Sequence, residues 1–337
     1  MGKIINQVLQ IVQMQFIISK MVIENMANSF EQDSRIPFIS VITPVYNDPK
    51  GLKDTLKSLV NQDYPQDYFE IIVADNGSTD KTLDVAREFL QEYPELIKIV
   101  IEDSIQSSYA ARNKGITAAK GDIIAFIDSD MSVEMDWLTR IDTSLKKYQT
   151  DYLACGVDIY SESNSLSALY NKLSGFPIVE YINNRHFAPT CCLVVRATVF
   201  DKVGLFNPNL ISSGDYEFGN RAFDSGYKLD YDLDIVMNHP ARTSYKQLLK
   251  KSFRIGRGFY QLSYYNPELY TKMNRGITTS MSRSHKSSWN LFTFKKDSQI
   301  WQDLTILNKL GLYLIDITNK LAKPIGYVYE KHFQKIN

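Results

Sequence analysis

The chain has no excess of either charge, since 38 Lys and Arg offset 38 Asp and Glu. No overall basic field is available to hold a phosphate backbone, so nucleic acid is excluded as a first partner. Cysteine is scarce, with only Cys155, Cys191 and Cys192. An odd number without metal-ligand spacing argues against a disulfide framework or a zinc site and for a reducing compartment. Leu193, Val194 and Val195 follow the adjacent pair as in a buried strand, and all three cysteines are read as packing residues. There is no run of 18 apolar residues, which excludes an obvious spanning helix. The early apolar residues are broken by Gln7, Gln10, Gln13 and Gln15, with no small-residue cleavage site after them. The expectation is a cytoplasmic protein, attached at most to the inner face of a membrane. Internal repeats and low-complexity tracts are also lacking.

What is present is patterning. Residues 1–35 read as an extension, glutamine-studded and then polar. From Ile36 short β-branched runs alternate with stretches of helical period, the sign of a parallel sheet with crossover helices. Strands are expected at Phe38–Thr43, Phe69–Ala74, Ile97–Ile101, Ile123–Ile127 and Tyr152–Val157, with helices at Gly51–Asn61, Asp80–Glu92, Tyr109–Lys120 and Met135–Lys147 between them. Later elements are a strand at Cys191–Val195, a helix at Tyr216–Asp224 and a strand at Ile235–Asn238. The fold class is therefore α/β, a doubly wound and mostly parallel sheet over 36–242, followed by a helical extension over 243–337.

Such sheets bind ligands at the carboxyl ends of their strands. Three polar segments meet that edge: Pro44-Val45-Tyr46-Asn47-Asp48, Asp75-Asn76-Gly77-Ser78-Thr79-Asp80 and Asp128-Ser129-Asp130. The last puts two carboxylates at the end of the apolar run Ile123–Ile127, which suits a hard divalent cation shared with substrate phosphates, Mn²⁺ or Mg²⁺. A solvated turn is the plain alternative. Asp75 closes an apolar strand, where a ligand N–H such as that of uracil would give it a role. Arg112 faces the same edge, placed to meet a diphosphate or to pair with Asp75. Asp215 opens a helix as a cap or a general base. His239 follows a short strand, as a structural residue or a metal ligand.

Five segments resemble the inverting family 2 glycosyltransferases of GT-A fold: Val41–Asn47, Ile72–Asp80, Ala111–Ile116, Gly121–Asp130 and Gly214–Glu217. Each is weak alone, but they keep the family's order and spacing. The resemblance implies a metal-dependent transfer from a nucleotide sugar, with a UDP-sugar expected, to a saccharide or lipid-linked acceptor in polysaccharide or glycoconjugate synthesis. Asp215 would take the proton of the acceptor hydroxyl. Pro44, Tyr46, Asp48, Asp75, Arg112, Asp128 and Ser129 would bind the donor, and Asp128, Asp130 and His239 the metal. Two departures bear on this: Gly214 stands where relatives often have Glu, and the Gln-x-x-Arg-Trp motif of processive members is absent. The competing readings are a nucleotidyltransferase, which lacks its usual Gly-rich loop here, and a non-catalytic sugar-nucleotide-binding scaffold.

In the extension, Leu304, Leu307, Leu310, Leu314, Ile317 and Leu321 recur on one helical face. Lys309, Lys320 and Lys323 accompany them, and Lys246, Lys250, Lys251, Arg254 and Arg257 form a second basic group upstream. The face suits a membrane surface. Equally, it suits packing on the α/β domain or on a second copy of the chain.

Overall fold

The computed structural model describes residue 20, residues 36–274 and residues 298–333. The chain divides into a unit ending at Pro37 and a compact unit from Phe38 to Asn337. Apart from Lys20, the extension expected over 1–35 lies outside the described residues.

The larger unit is built on one eight-stranded sheet in the order β3-β2-β1-β4-β7-β6-β8-β5. Its strands are β1 (Ile39–Val45), β2 (Phe69–Asp75), β3 (Ile97–Ile101), β4 (Ile123–Phe126), β5 (Ser132–Val133), β6 (Tyr152–Tyr160), β7 (Leu193–Arg196) and β8 (Leu229–Pro240). The helices of seven residues or more are α1 (Pro49–Leu59), α2 (Thr82–Glu92), α3 (Ser108–Ala118), α4 (Trp137–Tyr148), α5 (Leu166–Ser174), α6 (Ile178–Arg185), α7 (Ala197–Val203), α8 (Gly214–Asp224), α9 (Tyr245–Tyr265) and α10 (Ile306–Phe333). β1 pairs in parallel with β2 and β4. All seven residues of β1, and all seven of β2, are buried, as a parallel strand covered on both faces requires. Only β7 and the two-residue β5 run against their neighbours, so the sheet is mostly parallel.

The structure refines several boundaries. Residues Thr190–Cys192 form a 3₁₀ turn, which delays the strand expected from Cys191 until Leu193. β8 begins six residues before the expected Ile235 because Leu229–Asp232 pair with Tyr152–Cys155, and the register then shifts between Cys155 and Gly156. Short helices α5, α6 and α7 occupy a stretch where no helix was expected.

An aromatic stack ties the site-bearing elements together. Phe126 at the end of β4 meets Phe206 at 5.7 Å, Phe206 meets Phe218 of α8 at 4.6 Å, and Phe218 meets Phe200 of α7 at 4.9 Å. Such pairs add about 0.5–1.5 kcal/mol each beyond burial. They hold the start of α8 beside the carboxyl end of β4.

The extension closes over the cleft as a helix pair. A Cβ on Gly256 of α9 would lie 1.8 Å from the Lys323 carbonyl oxygen, and one on Gly326 of α10 would lie 2.1 Å from that of Phe253. Only glycine permits this backbone-to-backbone crossing. Below it Glu330, turned inward, accepts from Arg257 Nε at 2.5 Å and Gln261 Nε2 at 2.7 Å.

The leucine stripe does not pack on the α/β domain, correcting that alternative. Leu307, Leu310, Leu314 and Leu321 are 79%, 53%, 65% and 57% exposed. α10 instead buries Leu312, Asp316, Asn319, Ala322, Gly326 and Glu330. Leu304 precedes the helix and packs near Trp301. The upstream basic group is also not one face: Lys246 and Lys250 are exposed, Arg257 pairs with Glu330, and Lys251 and Arg254 line a cleft. Among the described residues, no helix is long and apolar enough to cross a membrane.

Candidate active site

Two cavities open at the carboxyl edge of the sheet. The first, of about 510 Å³, is lined by Pro44, Tyr46, Asp48, Arg112, Asp128, Ser129, Asp130, Asp215 and His239 among others. The second, of about 390 Å³, shares Pro44 and Tyr46 with it and adds Asn76 and Gln106. Nine of the ten expected site residues therefore meet in one cleft, and Asp75 does not.

Asp75 is fully buried at the end of β2. Its Oδ2 accepts from the backbone N–H groups of Gly77 and Ser78 at 3.0 and 2.9 Å, which explains the tight turn. Its Oδ1 has no hydrogen-bond partner. A buried carboxylate oxygen without a donor costs free energy, so this atom is the one place on β2 where a ligand N–H has something to satisfy.

Asp48 has a structural duty, since its Oδ1 accepts from Gly51 N–H at 2.9 Å and caps α1. Its backbone N–H reaches Thr82 Oγ1 at 2.9 Å. Asn47 Oδ1 accepts from Thr79 N–H at 2.8 Å. The loops after β1 and β2 are thus laced together beneath Tyr46, which is 50% exposed and free to stack on a flat ring.

Arg112 does not pair with Asp75, correcting that expectation, and it lines the cleft. Its guanidinium, buried on α3, donates to Asp128 Oδ1 at 2.5 Å. Its Nε lacks a partner. The pair fixes one oxygen of Asp128 and leaves the carboxylate partly exposed to the cleft.

Ligand atoms of Asp128, Asp130 and His239 all lie within 4.8 Å of one another. His239 Nδ1 is 2.8 Å from the Pro240 carbonyl, an acceptor only, so Nδ1 carries the proton and Nε2 offers its lone pair. Burial pushes the Asp130 carboxyl up, His239 opposes this, and Asp128 adds to it. Two carboxylates and one imidazole, the acids repelling each other, fit a divalent cation such as Mn²⁺ or Mg²⁺.

Asp215 sits in the first turn of α8. Its Oδ1 accepts from Tyr216 N–H at 2.9 Å and from the Tyr109 hydroxyl at 3.4 Å. Burial raises its pKa above the ordinary carboxylate value, against the Tyr216 N–H and the charge of Arg112. That shift suits a proton acceptor. A Cβ at Gly214 would stand 2.7 Å from Cε2 of Tyr109, so the tyrosine ring fills the space of the Glu that relatives often carry. Glu217, the other acid of the motif, is tied to Arg221 at 2.7 Å and is not among the residues lining the cleft.

Sequence reasoning missed the role of Tyr109 and a set of cations in the cleft wall, Arg242, Lys251, Arg254 and Lys323. The signal for two of them was visible in the basic run of α9 but pointed to the wrong face.

A model of "Glycosyl transferase family 2" matches residues 40–204. Over 230 residues the chain is 40% identical to glycosyltransferase AglE of Haloferax volcanii, an alignment covering 68% of this chain and 75% of that one. The chain belongs to glycosyl transferase family 2. A Methanococcus voltae family relative, named a dolichyl N-acetyl-α-D-glucosaminyl phosphate 3-β-D-2,3-diacetamido-2,3-dideoxy-β-D-glucuronosyltransferase, is 32% identical over 231 residues, covering 65% of this chain and 72% of that one. Among solved structures, mannosyltransferase PcManGT from Pyrobaculum calidifontis, in complex with GDP-Man and Mn²⁺, superposes with a TM-score of 0.61 at 17% identity, over 89% of both chains. S. aureus TarS 1–349 with UDP-GlcNAc gives 0.52 at 18%, over 89% of this chain and 93% of that one. These likenesses show the GT-A fold. The family 2 protein is thus an enzyme, a glycosyltransferase using nucleotide-sugar donors, which sets aside the scaffold and nucleotidyltransferase readings.

Proposed function

We propose that this enzyme transfers one sugar, with inversion and without processive extension, from a nucleoside-diphosphate sugar to a saccharide or lipid-linked acceptor in glycoconjugate synthesis. The reading is carried by one observation: Asp215 faces the same 510 Å³ cleft as Asp128, Asp130 and His239. Asp215 takes the proton of the acceptor hydroxyl, whose oxygen then attacks the anomeric carbon from the side opposite the departing diphosphate. The Tyr109 hydroxyl holds the carboxylate in place, and burial, which raises both pKa values, keeps the phenol a donor. When bound by Asp128, Asp130 and His239, a divalent cation would supply charge stabilisation to the leaving diphosphate. Tyr46 and Pro44 provide a platform for the base, and the orphan Oδ1 of Asp75 supports uracil through its N3–H.

The exposed stripe of α10 supports a lipid surface. Lys331 is exposed and Lys309 half-buried, whereas the acids Asp316 and Glu330 are buried and bonded, Asp316 to the half-buried Lys320 and Glu330 to Arg257. Anionic headgroups match this charge; a second copy would set like charges against like.

The test is thermal unfolding of the full chain with UDP, GDP, ADP and CDP, each with and without Mn²⁺, followed by slow hydrolysis of the matching sugar donor. Stabilisation by UDP that requires Mn²⁺ is expected. No response to any nucleoside diphosphate, with or without metal, sinks the reading.

A further inference from the structure

Three arginines elsewhere in this molecule are matched by acids. Arg185 pairs with Glu180, Arg221 with Glu217 and Arg257 with Glu330. Arg242, Lys251, Arg254 and Lys323 line the cleft, and among the described residues none of their side chains makes an ion pair or a hydrogen bond. Lys251 has only the Phe176 ring, 5.5 Å from its ammonium. Burial, then Arg242 and Arg254, push Lys251 down to about 7; burial and Arg254 lower Arg242. Arg242, Lys251 and Lys323 are half-buried and Arg254 is exposed; gathering like charges there is costly without a counter-ion.

The donor does not account for that counter-ion. A divalent cation offsets Asp128 and Asp130, and Arg112 adds one positive charge. A donor diphosphate with two negative charges leaves a shortfall of one, and Asp215 adds a second. Asp48, which also lines the cleft, brings the shortfall to three, and the four cations still exceed it by one, an excess that a second bound anion would meet. All four come from residues beyond β8, and Lys323 is on the helix whose opposite face is the exposed apolar stripe.

We propose that Arg242, Lys251, Arg254 and Lys323 form a second anion site that seats the phosphate of a phosphate-bearing acceptor. The donor diphosphate stays at the acidic end of the cleft. Lys and Arg supply point-charge and forked contacts to its oxygens, and the phosphate anchors the acceptor while its sugar hydroxyl reaches Asp215. This rests on the glycosyl-transfer reading above.

Calorimetric titration separates the possibilities, using wild-type full chain and the Lys251→Gln/Arg254→Gln double variant. The probes are octyl phosphate, octyl glucoside as the uncharged control, inorganic phosphate, and UDP with Mn²⁺. The double variant is expected to bind octyl phosphate about tenfold more weakly or worse, the scale of one charge-assisted hydrogen bond. Its UDP affinity should be nearly unchanged, which also shows that it is folded. Octyl phosphate binding tighter than inorganic phosphate places the group on an apolar carrier, and equal affinities place it on a water-soluble phosphosugar. UDP affinity falling as far as octyl phosphate affinity would assign the cations to the donor and overturn the proposal. So would wild-type binding of octyl phosphate no better than octyl glucoside. A wild type that binds octyl phosphate but no nucleoside diphosphate breaks the transfer reading instead.

Discussion

The two walls of the cleft are built on opposite plans. On the sheet-edge wall the acids are held by the protein itself: Asp128 by Arg112, Asp215 by Tyr109 and the Tyr216 N–H, Asp48 by the N–H it caps. On the helical wall the cations Arg242, Lys251, Arg254 and Lys323 make no such bonds. A group held by its own fold is set before substrate arrives, as chemistry demands. A group left without a counter-charge waits for one, as binding demands. Damage to the first wall should therefore appear in turnover, and damage to the second in affinity, with a gain in stability.

The strongest break is expected from Asp215→Asn, which removes the proton acceptor but not the shape. Transfer should fall by roughly 10²-fold or more, while UDP binding, read by calorimetry, persists. The same variant should unfold at a higher temperature at pH 7. The folded pKa of Asp215 is raised by burial, so ionisation opposes folding once pH exceeds the unfolded value of about 3.9. The advantage should vanish below that pH. Near-normal turnover would move the role to another group. Next in size, Asp130→Ala should lose the Mn²⁺-dependent part of stabilisation by UDP in a thermal-shift assay; an undiminished shift would remove Asp130 from the metal site.

The helical wall should answer more mildly. With Leu314→Glu and Leu321→Glu together, binding to vesicles rich in phosphatidylglycerol should drop in a low-salt flotation assay, with the melting temperature near wild type because both side chains are exposed. A wild type absent from the vesicle fraction refutes surface attachment outright. The smallest change is that of Lys251→Gln, a rise in melting temperature of a few degrees at pH 6. The folded pKa is about 7 against about 10.4 unfolded, so the charged form costs stability below pH 7. That cost declines as pH rises toward 10, and the variant's advantage should decline with it. An advantage that grows with pH contradicts a lysine strained by its charge.

The first wall was legible in the sequence because a parallel sheet places its chemistry by rule. Each of Asp75, Asp128 and Tyr46 follows an apolar run, and strand ends in such sheets converge. What stayed hidden was pairing. The protein partner of Arg112 is Asp128 and not Asp75, because α3 sets its guanidinium across the end of β4. Asp75 looked like an open cleft residue but is fully buried, with Oδ2 committed to the turn and only Oδ1 left for a ligand. The second wall was not legible because the destination of a helical side chain depends on the neighbour of its helix. Lys251 and Arg254 reach the cleft because α9 and α10 cross closely, Gly256 against the Lys323 backbone and Gly326 against that of Phe253, contacts between distant residues that no local pattern announces. Short helices α5 and α6 were missed for the same reason, since their apolar residues are too few to set a period.

Tyr109 touches three things at once: its hydroxyl meets Asp215, its ring fills the space above Gly214, and the Arg112 guanidinium lies 5.9 Å from that ring. Positions 109, 112 and 214 are therefore one heritable unit. A lineage that acquires Glu at 214 must first shrink or turn the residue at 109, and in doing so loosens both the acid that takes the proton and the arginine that steadies Asp128. At these three positions descendants of this enzyme must change in concert or not at all.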